Sequence, residues 1–183
     1  MHKDNLKYLI IGLKNNQIKS KIVFYKHKSV MAKEIEKKFL LKNDKWRKDA
    51  RGIFYKQGYL STKKERTVRV RISGDKAFLT IKGPSRGASR LEFEYPIPAE
   101  DALEILVLCE QPLIEKTRYK IMHNGLKWEI DEFDGLNKGL ILAEIELTDE
   151  NQKFDLPDWI GQEVTGNPDY YNASLIHKPF SSW

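Results

Sequence analysis

Residues 31–41 read Met31-Ala32-Lys33-Glu34-Ile35-Glu36-Lys37-Lys38-Phe39-Leu40-Leu41. In an extended chain, residues at i, i+2 and i+4 share one face. Glu34 and Glu36 then stand about 7 Å apart on one side of a sheet, followed by the ammonium of Lys38. At that spacing two carboxylates repel by roughly 2 kcal/mol at an effective dielectric near 20. Such a strand makes sense where something positive binds.

Working outward, the same device recurs. Acidic pairs at i, i+2 are Glu34/Glu36, Glu92/Glu94, Glu129/Asp131 and Glu144/Glu146, and basic pairs are Arg69/Arg71 and Lys116/Arg118. Lys38, Lys82 and Arg90 add single cations, while Ile35, Val70, Ile81, Phe93, Ile130 and Ile145 occupy the alternate positions. A solvated sheet face also carries charge, but it mixes the signs. Six pairs sorted by sign point to a binding surface.

The strands follow in order. Lys33 to Leu41 is the first, and residues 46–50 form a short helical turn. Gly52 to Leu60, Glu65 to Ser73 and Lys76 to Lys82 come next, the last two joined at Gly74-Asp75 as a hairpin. A loop over Gly83 to Gly87 leads to Arg90 to Tyr95. Pro96 and Pro98 break the pattern before a helix over Ala99 to Leu108, whose apolar residues recur at helical spacing. Leu113 to Met122 and Leu126 to Phe133 flank Asn124-Gly125, a strong hairpin dipeptide, and Gly139 to Leu147 is the eighth strand. A short helix is expected from Thr148 to Lys153, a loop from Leu156 to Pro168, and a last helix from Asp169 to His177. The fold class is α+β: an eight-stranded antiparallel β-barrel with a charged lumen, its apolar face outward beneath flanking helices.

Composition bounds the alternatives. The chain has 183 residues, of which 40% are hydrophobic and 32% charged, and its formal net charge is +6. Residues 1–30 hold seven lysines against Asp4 alone, so the whole excess lies there and residues 31–183 are balanced. That distribution argues against nucleic acid as the partner of the body of the chain. Residues 1–30 read as a basic extension outside a domain spanning 31–183, with a short amphipathic helix over Leu6 to Leu13 as one option. No apolar run approaches the ~20 residues of a membrane span, no signal peptide is evident, and one cysteine, Cys109, fits a reducing cytoplasm. His2, His27, His123 and His177 form no ligand set, and Gly83 to Gly87 lacks the lysine of a phosphate-binding loop. Cys109 reads as a small packed hydrophobe.

Carboxylate clusters without His or Cys are hard-oxygen sites that suit Mg²⁺ or Mn²⁺. Arginine and lysine converging from several strands suit a polyphosphate, because guanidinium groups grip phosphate oxygens in pairs. Together they form the arrangement that phosphoryl transfer requires.

Glu34-x-Glu36-x-Lys38 resembles the signature of the CYTH, or triphosphate tunnel metalloenzyme, superfamily. Arg69-x-Arg71, Leu79-Thr80-Ile81-Lys82-Gly83, Arg90-x-Glu92-x-Glu94, Glu115-Lys116-x-Arg118-Tyr119, Glu129-x-Asp131-x-Phe133 and Ala143-Glu144-x-Glu146-Leu147 agree in order over about 31–177. Gln57-Gly58-Tyr59-Leu60, Trp159-x-Gly161-x-Glu163-Val164-Thr165 and Tyr171-Asn172 resemble the short bacterial inorganic tripolyphosphatases most. The resemblance implies a metal-dependent hydrolase of inorganic tripolyphosphate. Class IV adenylate cyclase and thiamine triphosphatase are the enzyme alternatives, and a non-catalytic polyphosphate-binding module is the other. It further implies that Glu34, Glu36, Glu144 and Glu146 hold the metal, with Asp131, Glu129 and Glu94 as lesser candidates. Arg69, Arg71, Lys82, Arg90, Lys116 and Arg118 would bind phosphates, and Lys38 with Tyr59 would orient or deprotonate the attacking water. Monomer and homodimer both stay open.

Overall fold

The computed structural model describes residues 35–183 apart from 49, 64, 87, 88 and 150, and no side chain over 85–90. Glu34, the side chain of Arg90 and the basic extension lie outside the described residues.

Among the described residues nine strands pair into one antiparallel sheet: β1 (Ile35–Leu41), β2 (Gly52–Ser61), β3 (Thr67–Ser73), β4 (Lys76–Arg86), β5 (Ser89–Ile97), β6 (Glu110–His123), β7 (Leu126–Phe133), β8 (Ile141–Leu147) and β9 (Ile160–Glu163). The order is β5-β4-β3-β2-β6-β7-β8-β1-β9. Helix α1 (Ala99–Val107) follows β5, and α2 (Ser174–His177) lies near the end of the chain. The antiparallel α+β architecture is as expected, with one more strand, and among the described residues no ladder joins β5 to β9.

Local chemistry accounts for the connections. Asn124 at φ 47° and Gly125 at φ 77° make the tight turn between β6 and β7, since both central positions of that turn need positive φ. Where a loop was expected over Gly83 to Gly87, β4 runs on to Arg86, and a register shift between Lys82 and Ser85 absorbs Gly83-Pro84. A bulge of this kind lets a proline stay in a ladder.

The end of the chain departs further from the sequence reading. Within the expected loop, β9 pairs with β1, so close that a Cβ on Gly161 would sit 3.0 Å from the Leu40 carbonyl oxygen. The expected last helix shortens to α2, preceded by a 3-10 turn at Pro168–Tyr170. No helix forms among the described residues of 148–153. These segments are set by contact with distant strands and carry no local period.

The sheet buries its two faces differently. Phe39, Trp128, Ile130, Ala143 and Ile145 on the outer face pack with Trp46, Trp159 and Ile160. Beyond them, α1 lays Ala102 and Leu106 over Val70 and Ala77, with Cys109 packed alongside. On the inner face, Tyr59, Ile114, Phe133 and Leu142 form an apolar end, closed by Val164, Leu175 and Ile176 of the C-terminal segment. The remainder of the inner face is polar and mostly charged.

Candidate phosphate and metal site

Strand register puts the charged residues together. Lys38 lies opposite Glu144, Glu36 opposite Glu146, Glu129 opposite Glu144, and Arg118 opposite Asp131. On the other half of the sheet Arg69 is opposite Thr80, Thr67 opposite Lys82, Thr80 opposite Glu94 and Lys82 opposite Glu92. Because side chains alternate with period two, every described candidate shares this face.

Arg118 is the hub. Its Nε and Nη2 donate to the two carboxylate oxygens of Asp131, each at 2.6 Å, and Nη2 also donates to Glu144 Oε2 at 2.7 Å. Its Nη1 donates to Glu129. Lys116 donates to Asp131, and more distantly to Asn172 Oδ1 at 3.5 Å. Lys38 donates to Glu144 and pairs with Glu36 at 2.9 Å. Across the sheet Arg71 donates to Glu94 at 3.0 Å, Arg69 donates to Thr80 Oγ1 at 3.2 Å, and Lys82 pairs with Glu92 at 2.8 Å. Carboxylates and cations on this face are thus interleaved as ion pairs.

Electrostatics follow from this interleaving. Burial alone would raise the Glu144 pKa, but Lys38, Arg118 and Lys116 together hold its carboxyl well below the usual range. For Lys38, burial disfavours the charge, yet Glu144 and Glu36 outweigh it and raise the pKa above that of a free lysine. Lys116 goes the other way: burial, with Arg118 beside it, prevails over Asp131 and lowers its pKa to about 8. Burial and repulsion from Arg69 likewise lower that of Arg71.

The Nε–H groups of Arg69 and Arg71 are buried without a hydrogen-bond partner among the described residues. An unpaired buried donor costs about 1–3 kcal/mol, which an anion accepting from both arginines would recover. Among the described residues no three carboxylates, imidazoles or thiolates stand close enough to form a ready-made metal cluster. Donor chemistry nevertheless fits a hard divalent ion: Glu36, Glu144 and Glu146 offer only carboxylate oxygens on the facing strands β1 and β8. Glu129, Asp131 and Glu94 direct their oxygens to cations of this same face, as do Glu144, held by Lys38 and Arg118, and Glu36, paired with Lys38.

Tyr59 lies in the apolar end, where its hydroxyl accepts from Gln57 Nε2 at 3.4 Å. No hydrogen bond joins it to Lys38 among the described residues. The sequence reading missed Tyr55, Gln57 and Thr80, all buried on this face. Parity with Tyr59 and Lys82 was the available signal, obscured because none of the three carries charge.

A curled antiparallel sheet with interleaved carboxylates and cations on its inner face defines a class of phosphate-handling domain. The CYTH domain family profile matches residues 32–179, and the chain belongs to that family. It is 54% identical over 154 residues to an inorganic triphosphatase of Acetivibrio thermocellus, covering 84% of this chain and 99% of that protein. An inorganic triphosphatase of Nitrosomonas europaea is 34% identical over 146 residues, covering 78% and 95%. A crystal structure of an inorganic triphosphatase matches with a TM-score of 0.60 at 32% identity, over 80% of this chain and 95% of that one.

Proposed function

We propose that this protein is a cytoplasmic, divalent-cation-dependent triphosphatase that hydrolyses inorganic tripolyphosphate to pyrophosphate and phosphate. The observation that carries the reading is the inner face itself, where buried arginine donors without a partner among the described residues stand in one sheet with hard carboxylate donors. The similarity to proteins named inorganic triphosphatases supports the same choice of substrate. The family-like domain comprises residues 31–183, with the basic segment 1–30 outside it.

Arg69, Arg71, Lys82, Lys116 and Arg118 bind the phosphate chain, exchanging internal carboxylate partners for phosphate oxygens, and Arg90 is assigned to the same chain. Glu36, Glu144 and Glu146, with Glu34, would hold Mg²⁺ or Mn²⁺. Such an ion, when bound, polarises phosphate oxygens and lowers the pKa of water. Lys38 remains protonated under its two carboxylates, so it orients water or phosphate and does not act as the base. Tyr59 borders the same face and is assigned a water-positioning role. The attacking water supplies oxygen to the terminal phosphorus, its proton passes to the phosphate products or solvent, the bridging P–O bond breaks, and pyrophosphate departs with charge neutralised by the arginines.

A substrate panel tests this reading. Tripolyphosphate, ATP and thiamine triphosphate are incubated with the protein in Mg²⁺, Mn²⁺ or EDTA, and phosphate, pyrophosphate and cyclic nucleotide are scored. Phosphate and pyrophosphate from tripolyphosphate, lost in EDTA and in Glu34→Gln and Glu144→Gln, are expected. Cyclic product, preference for an organic triphosphate, or binding without turnover would replace the reading with one of its rivals.

A further inference from the structure

Strand β2 carries a ring between the two arms of the phosphate site. Tyr55 is buried on the inner face, opposite Ser73 of β3 and Lys116 of β6. The Arg71 guanidinium lies 5.6 Å from its centroid, and so does that of Arg118. Arg71 also faces the Phe78 ring at 5.5 Å. One aromatic ring on β2 therefore contacts a cation from β3 and a cation from β6.

The chemistry of the ring sets it apart from the other partners of these arginines. Glu94, Asp131 and Glu144 are anions, and an incoming phosphate competes with them for the same N–H donors. An aromatic face attracts a cation through its quadrupole and occupies none of those donors. Contact with Tyr55 can thus persist when the carboxylates are exchanged for phosphate, keeping two mutually repelling guanidinium groups at a set spacing. An aliphatic side chain would fill the same volume without attracting either.

We propose that Tyr55 is a positioning residue of the phosphate site, its ring holding Arg71 and Arg118 in the arrangement that grips the phosphate chain. The inference rests on the reading that both arginines bind phosphate. It assigns the function to the ring, not to the hydroxyl.

Steady-state kinetics with tripolyphosphate at saturating Mg²⁺ test it, using Tyr55→Leu, Tyr55→Phe, Arg71→Ala and Arg118→Ala. Tyr55→Leu is expected to raise KM about tenfold, the scale of one desolvated cation–π contact, with kcat nearly unchanged, and Tyr55→Phe to restore KM. An unchanged KM in Tyr55→Leu, a loss confined to kcat, or a Phe variant as impaired as Leu would overturn the proposal. Should Tyr55→Leu fail to fold, Tyr55→Met is judged by the same criteria. If Arg71→Ala and Arg118→Ala both keep the wild-type KM, the phosphate-site reading has failed, independently of Tyr55.

Discussion

Arg118 on β6 reaches Glu144 on β8 through an Nη2–Oε2 hydrogen bond of 2.7 Å, while Asp131 on the intervening β7 accepts two more bonds from the same guanidinium. Three strands are thereby tied by one cation. The acidic and basic groups of the site neutralise each other pair by pair. That balance makes it possible to bury so much charge, and makes the removal of any one partner costly.

Glu144→Gln leaves Lys38 and Arg118 short of an anion in a buried setting. A stability loss of about 3 kcal/mol is expected at neutral pH, measured by denaturant unfolding. Because the folded carboxyl has a depressed pKa, its contribution is present above the unfolded value of about 4.5 and falls away as pH drops. The Gln variant should accordingly show a flatter fall in stability below about pH 4.5 than the parent chain. A loss under about 1 kcal/mol with unchanged acid sensitivity would mean that the Lys38–Glu144–Arg118 linkage contributes little.

Asp131 is 0% exposed and holds Lys116 and Arg118. Asp131→Asn is expected to weaken tripolyphosphate binding by tenfold or so, since one partner of a buried charged pair is lost. The Mg²⁺ concentration for half-maximal activity should stay near that of the parent, whereas Glu36→Gln should raise it. Parallel metal titrations of the two variants decide whether Asp131 is a cation clamp or a metal ligand.

Trp128 is 0% exposed and meets Trp159, Phe39 and Phe154 at ring-centroid distances of 5.5, 5.6 and 6.0 Å. Trp128→Ala should cost about 3–5 kcal/mol, as large truncations in a packed core do. Arg47 makes two hydrogen bonds to Glu132, but at a half-exposed site. Its removal should cost about 1 kcal/mol or less. Unfolding midpoints of the two variants at pH 7 compare the terms directly.

Gly58 approaches Cys109 and Leu113 so closely that a Cβ would sit 2.6 Å from Cys109 Cβ and 2.8 Å from Leu113 Cδ2. Gly58→Ala should destabilise by about 1–3 kcal/mol through overpacking. A melting temperature equal to that of the parent chain would show that α1 and the start of β6 can shift away from β2.

Much of this was legible in the chain because strand periodicity is local. Glu36, Lys38, Arg69, Arg71, Lys82, Lys116, Arg118, Glu129, Asp131, Glu144 and Glu146 recur at period two, mostly between apolar residues, and that spacing placed each on the charged side of its strand. Asn124-Gly125 likewise announced its own turn. Tyr55, Gln57 and Thr80 share that parity but have no charge to reveal them, so only their neighbours in space disclose a role.

The opening segment illustrates where local information ends. Glu36 and Lys38 could be assigned to one face of a strand from residues 31–41 alone. That Lys38 is shared by Glu36 and Glu144 depends on β1 pairing with β8, more than a hundred residues away. The same distance hid β9, which exists because β1 offers it an edge, and the closure of the apolar end by Val164, Leu175 and Ile176. Alternation follows from the geometry of a single extended backbone; partners, burial and shifted pKa values follow from which strands meet, and that is settled only when the whole sheet assembles.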